Sequence, residues 1–112
     1  MSQITTHVLD TSIGKPGIGI TILLEKKEDN GNWNILGEGV TNTDGRAPLL
    51  LPDATPGPGI YRLVFFTGAY YKKLGVKGFY PSVTIEFEIS DRSHYHVPLL
   101  LNPYGYSTYR GS

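Results

Sequence analysis

The chain has 112 residues, with ten Lys and Arg against ten Asp and Glu, no cysteine, and 39% hydrophobic residues. That length suits a single domain over residues 1–112 with one core, since domains usually hold roughly 100–150 residues. Balanced charge excludes an electrostatic drive towards DNA, RNA or acidic membranes. The lack of cysteine excludes disulfides and thiol chemistry, and no apolar run nears the ~20 residues that span a bilayer.

In chain order, Met1-Ser2-Gln3-Ile4 has no basic start followed by an apolar stretch, so no signal peptide is expected. A cytoplasmic protein is the simpler reading; a periplasmic mature form with its signal peptide removed would look the same. A first strand is expected over residues 4–9, turned by Pro16-Gly17. Ile18, Ile20, Ile22 and Leu24 then recur at period two, the mark of a strand with one buried face. Asn30-Gly31 fits a tight turn from the strand over 18–27 into one over 33–41. Asp44-Gly45 supplies a second such turn just before Arg46. Residues 52–59 are too rich in Pro and Gly for a strand and read as a loop.

Tyr61, Leu63 and Phe65 form a further alternating row. Thr67 can cap a short helix through Leu74, with Lys72 and Lys73 in its last turn and Gly75 closing it. Val83, Ile85, Phe87 and Ile89 alternate with Glu86 and Glu88 facing the other way. Residues 97–101 are apolar on both faces and predict a strand covered on both sides. The chain then alternates aromatic and hydroxyl side chains from Tyr104 to Ser112, a strand carrying polar chemistry to its end. The elements together predict an all-β protein: eight strands in two packed antiparallel sheets, with one short helix.

The chain has three histidines, His7, His94 and His96. Histidine is the side chain best suited to exchange protons near neutral pH, with an unperturbed pKa of about 6.5. His94 and His96 are two apart in a predicted strand and so share a face. Each has a plain reading as a hydrogen-bonded surface histidine, and a zinc site built from all three is a minor alternative. Arg46 reads either as a solvated charge at a hairpin exit or as a clamp on an anion or carbonyl. No Gly-x-Ser-x-Gly elbow occurs, and Gly14-Lys15-Pro16-Gly17-Ile18-Gly19 opens no helix to bind a nucleotide.

Four blocks resemble one known family in order and separation over essentially the whole chain. They are Thr5-Thr6-His7-Val8-Leu9-Asp10-Thr11, Thr41-Asn42-Thr43-Asp44-Gly45-Arg46, Tyr95-His96-Val97-Pro98-Leu99-Leu100-Leu101, and Tyr104 to Ser112 ending in Tyr109-Arg110-Gly111-Ser112. The family is that of the 5-hydroxyisourate hydrolases, the transthyretin-related enzymes of urate breakdown. The resemblance implies a transthyretin-like β-sandwich. It also implies a homotetramer, a dimer of dimers with active sites between the dimers. Transthyretin lacks the histidine pair and the Tyr-Arg-Gly-Ser ending, so the resemblance is to the enzymes rather than to the hormone carrier.

The implied reaction opens the six-membered ring of 5-hydroxyisourate by hydrolysis at a cyclic amide, without metal or other cofactor. His7, Arg46, His96 and Ser112 map onto catalytic positions of the family, and His7, Arg46, Tyr109, Arg110 and Gly111 onto substrate-binding ones. His7 or His96 would activate water, Arg46 would hold the developing oxyanion, Tyr109 would contact the ring, and the Ser112 carboxylate would hold a histidine or the water. Which histidine is the base stays open, and His94 has no assigned role. A non-catalytic carrier of small aromatic ligands on the same sandwich is the competing expectation. An interaction module with incidental histidines is a further one.

Overall fold

Alternation of buried and exposed side chains decides which segments of this chain become strands and which way each faces. In the computed structural model, which describes residues 2–52 and 54–111, the order is β1 (Ile4–Asp10), β2 (Lys15–Pro16), β3 (Thr21–Lys27), β4 (Trp33–Val40), β5 (Gly59–Phe65), α1 (Thr67–Lys73), β6 (Val83–Ile89), β7 (Tyr95–Asn102) and β8 (Gly105–Thr108). The strands form two four-stranded sheets, ordered β2-β1-β7-β8 and β4-β3-β5-β6. One apolar cluster joins them: Ile4 and Val8 of β1, Leu99 and Leu101 of β7, Ile22 and Leu24 of β3, and Tyr61, Leu63 and Phe65 of β5 are all buried. Burying such side chains contributes roughly 1.5–3 kcal/mol each and is what holds the sheets face to face.

The expected two-sheet sandwich is present, with one feature that alternation does not reveal. β1 and β7 run parallel, Thr5 opposite His96 and His7 opposite Pro98, while every other strand pair is antiparallel. The parallel pair lies in the middle of its sheet, where both strands have neighbours on each side.

Three local expectations are corrected. The first turn falls at residues 11–14, not at Pro16-Gly17, because the Asp10 carboxyl accepts the Ser12 amide (3.1 Å) and hydroxyl (2.5 Å) and Gly14 takes a positive φ of 64°. Pro16 instead sits on the edge strand β2 opposite Leu9, a position where a residue without an N–H is tolerated. Ile18 is 52% exposed, since Gly19 breaks the row with φ 79° and the strand begins only at Thr21. Thr67 is the first helical residue, not the cap; no side chain caps this helix, and the buried Thr67 hydroxyl points to the Tyr80 carbonyl at 3.5 Å. Gly75 closes the helix as expected: its φ is 72°, and Val76 N–H bonds back to the Tyr71 carbonyl.

Candidate active site

The outer face of the β2-β1-β7-β8 sheet carries the histidines. β1 buries Ile4, Thr6, Val8 and Asp10, so Thr5, His7 and Leu9 point outward. The parallel register sets Thr5 beside His96 and His7 beside Pro98. At the other edge of β7, Leu99 pairs with Thr108 and His96 bridges to Gly111. These pairings are one continuous register, which sets Pro98 opposite Tyr109 and Val97 opposite Arg110.

Two rows therefore cross the outer face. One is Thr5, His96, Gly111; the next is His7, Pro98, Tyr109. Strand spacing and rise place the His7 and His96 Cα atoms roughly 8 Å apart, close enough for both imidazoles to meet one small planar molecule.

Arg46 enters from the far side of β1. Its backbone bridges His7, and Val8 N–H donates to the Gly45 carbonyl at 2.8 Å. The turn that delivers it is closed by Asn42, whose Oδ1 accepts the Asp44 and Arg46 amides at 2.9 and 3.1 Å. Gly45 holds φ 76° and packs so tightly that a Cβ there would strike the Val8 carbonyl and lie 3.3 Å from the His7 ring. Glycine is thus required twice over, by backbone conformation and by space.

His96 is the most constrained group. Its Nδ1 lies 2.8 Å from the Thr5 hydroxyl, so Nε2 is the nitrogen left for chemistry. Its carbonyl accepts the Gly111 N–H at 2.7 Å. Burial pushes its pKa below the ordinary histidine value, and the charges of Arg46, His7 and His94 push in the same direction. Both effects favour the neutral ring, the form a general base needs. A Cβ on Gly111 would lie 2.6 Å from the His96 Cδ2, so the C-terminal segment rests directly on the ring.

Of the residues expected to form a site, His7, Arg46, His96, Tyr109 and Gly111 share this face. Arg110 does not join them. Register turns it to the inner side, where its guanidinium stacks on the Tyr95 ring at 4.1 Å and lies 3.4 Å from the His94 carbonyl. Ser112 lies outside the described residues. Among the described residues no group of three His, Asp or Glu side chains is placed to hold a metal ion, so the three histidines do not form a ligand set.

A cavity of about 350 Å³ bordered by Ile85, Phe87, Tyr95, Val97, Tyr109 and Arg110 opens between the sheets and holds no histidine. The histidine face is open in the single chain. Sequence reasoning missed Thr5: it stands two residues before His7 and so on the same face, but its contact with His96 depends on the cross-strand register.

A sandwich of this topology, with imidazoles and a guanidinium on one outer face, defines a transthyretin-like protein with a polar site. The model of the HIUase/Transthyretin family matches residues 4–111, and the chain belongs to that family. A 5-hydroxyisourate hydrolase of Salmonella typhimurium is 48% identical over 110 residues, 97% of this chain and 80% of that protein. Among solved structures, the Klebsiella pneumoniae 5-hydroxyisourate hydrolase matches with a TM-score of 0.85 and 37% identity, covering 100% of this chain and 94% of that one. Sea bream transthyretin in complex with thyroxine matches with a TM-score of 0.91 and 27% identity, covering 97% and 94%. The backbone fits the carrier at least as well as the enzyme, while the sequence is nearer to the enzymes.

Proposed function

We propose that this protein hydrolyses 5-hydroxyisourate to 2-oxo-4-hydroxy-4-carboxy-5-ureidoimidazoline. The observation that carries the reading is the convergence of His7, His96 and Arg46 on one sheet face, with the His96 Nδ1 occupied by Thr5. Hydrolysis of a cyclic amide needs an activated water, a stabilised oxyanion and a protonated leaving nitrogen. His96 Nε2 takes a proton from water as that water attacks the carbonyl carbon, a role typically contributing ~10²–10⁴-fold. Arg46 donates to the oxygen on which negative charge grows; removing one such donor commonly costs ~10²–10³ in rate. His7 delivers the proton to the departing nitrogen, and Tyr109 lies along the rim of the same row to contact the flat ring.

The face is open in one chain, and a charged intermediate is stabilised best where water is excluded. A second pair of subunits covering this face supplies that exclusion, which fits a homotetramer with sites between its dimers. A carrier of small aromatic ligands on the same sandwich would be better served by an apolar face than by imidazoles and a guanidinium.

The deciding assay follows the ultraviolet decay of freshly made 5-hydroxyisourate with wild-type protein, with His96→Asn, and without protein. Wild type accelerates the decay; His96→Asn folds and assembles but loses at least about 10²-fold in turnover. Decay at the spontaneous rate with folded wild-type protein refutes the enzyme, and near-normal turnover by His96→Asn refutes the base.

A further inference from the structure

The Thr5 hydroxyl stands 2.8 Å from His96 Nδ1 and 2.8 Å from His94 Nε2. The two rings lie side by side, 6.3 Å between centroids and 24° from parallel. Thr5 comes from β1, and the histidines are on β7 or just before it. All three side chains are half-buried.

A hydroxyl has one proton and two lone pairs. Thr5 has no other hydrogen-bond partner among the described residues, so using that proton within the pair means donating to one ring nitrogen and accepting from the other. With both rings neutral only two arrangements satisfy every atom. In one, His96 Nδ1–H donates to Thr5, and Thr5 donates to His94 Nε2; His96 Nε2 is then bare and basic. In the other every bond in the chain is reversed, and His96 Nε2 carries the proton. The tautomers of the two histidines are thereby linked. A pair of acceptors facing the same oxygen would leave one contact unmade.

We propose that Thr5 and His94 are positioning residues for His96: they select its tautomer and accept its excess proton. The inference rests on the hydrolase reading for its role in turnover, but the linked pair itself is independent of that reading. When His96 Nε2 takes a proton from water, the His96 Nδ1–H bond breaks as a Thr5 Oγ–H bond forms. The original Thr5 Oγ–H bond breaks as a His94 Nε2–H bond forms. The result is a neutral His96 protonated on Nε2, an intact Thr5 hydroxyl and an imidazolium at His94; the trio holds one proton more than before, the one taken from water, and carries its positive charge. Reversal returns the stored proton through His96 Nε2 to solvent, and His7, having given its proton to the departing nitrogen, regains one, so the site is restored for the next turnover.

The charges nearest His96, those of His7 on β1 and Arg46 in the turn beside it, act against keeping a cation on that ring. On the His94 side, Arg110 holds its guanidinium near the His94 carbonyl but over Tyr95, on the opposite side of the strand.

The test uses protein labelled with ¹⁵N-histidine and long-range ¹H–¹⁵N spectra across pH, alongside turnover of 5-hydroxyisourate. In wild type the His94 and His96 rings titrate as a coupled pair, each reporting the other's step. Thr5→Val keeps the β-branched shape but has no hydroxyl; it uncouples the two titrations and lowers kcat about tenfold with KM nearly unchanged. Thr5→Ser restores the coupling and most of the rate. His94→Leu lowers kcat by a similar factor.

Unchanged His94 and His96 titrations in Thr5→Val would overturn the proposal, as would equal kcat losses in Thr5→Val and Thr5→Ser. Coupled titration in a wild-type protein that fails to turn over 5-hydroxyisourate would sink the hydrolase reading and leave the histidine pair standing.

Discussion

Gly111→Ala tests whether the C-terminal segment positions the base. Gly111 has no positive φ, so alanine strains no backbone there. The obstacle is space: the new Cβ would sit 2.6 Å from the His96 Cδ2, 3.3 Å from Cγ and 3.4 Å from Cβ. An ordinary carbon–carbon contact is roughly 3.5–4.0 Å, so about 1 Å of clearance must be found.

The ring has little freedom to supply that clearance, because Nδ1 is held at 2.8 Å by Thr5 and the backbone carbonyl at 2.7 Å by Gly111 N–H. Either His96 Nε2 moves or the segment carrying Tyr109 lifts away. A misplacement of about 1 Å at a reacting group can cost ~10²-fold. We expect kcat to fall by about that factor, with thermal stability changed little because the site is at the sheet surface. The measurement is steady-state hydrolysis of 5-hydroxyisourate, with sedimentation to show the assembly intact. Turnover by Gly111→Ala within about twofold of wild type would refute the packing argument.

Arg46→Gln should lower kcat by ~10²-fold or more through loss of the oxyanion partner. It should also move the acid limb of the pH–rate profile. Arg46 disfavours the His96 cation, so its removal raises the His96 pKa, and activity is then lost at a higher pH as acid is added. In wild type that limb lies below about pH 6.5, the ordinary histidine value; an unmoved limb in Arg46→Gln argues against His96 as base. Tyr70→Phe removes the 2.7 Å hydrogen bond from the Tyr70 hydroxyl to the buried Asp10 carboxyl. A buried bond of this kind contributes about 1–2 kcal/mol, so Tm should drop by roughly 5 °C or more, and a scan showing no drop contradicts it. Sedimentation should show a tetramer at micromolar concentration, and a persistent monomer would count against the proposed covering of this face by a second pair of subunits.

The sandwich was legible because burial follows period two so closely. In β6, Val83, Ile85 and Ile89 are buried while Thr84, Glu86 and Glu88 are exposed, as the sequence row implies. The parallel pairing of β1 with β7 was not legible. It joins segments about ninety residues apart, Thr5 with His96, and no local pattern encodes which strand a strand will meet. Thr67 misled for a related reason: Gly68 N–H bonds to the Pro81 carbonyl, so tertiary contact rather than capping fixes the helix start. Gly45 and Gly111 could be read as turn and tail residues, but their tight approach to Val8 and His96 needs the folded register.

For the site itself, motif resemblance drew in all four residues of the Tyr109-Arg110-Gly111-Ser112 ending, and only alternation separates two of them. Register puts Tyr109 in the row of His7 and Pro98, whereas Arg110 falls on the alternate side, where it covers Tyr95.

The site's geometry is set from the buried side of the same strands. A register slip of one residue between β1 and β7 would turn every β1 side chain to the other face. Such a slip would expose Ile4, Thr6, Val8 and Asp10, which are at most 3% exposed, and bury His7. Thr6 adds a direct lock, its hydroxyl donating to the Val97 carbonyl at 2.7 Å, and Asp10 adds another through Tyr70 of α1. Each of these inward contacts makes no approach to the outer face, yet each holds His7, Thr5 and His96 in their rows. Substitutions on the inner side should therefore reduce activity and stability together, whereas those at Thr5, Arg46 or Gly111 should separate the two. Transthyretin shares this sandwich, so the hydrolytic chemistry has to reside in what the outer face carries, not in the fold that presents it.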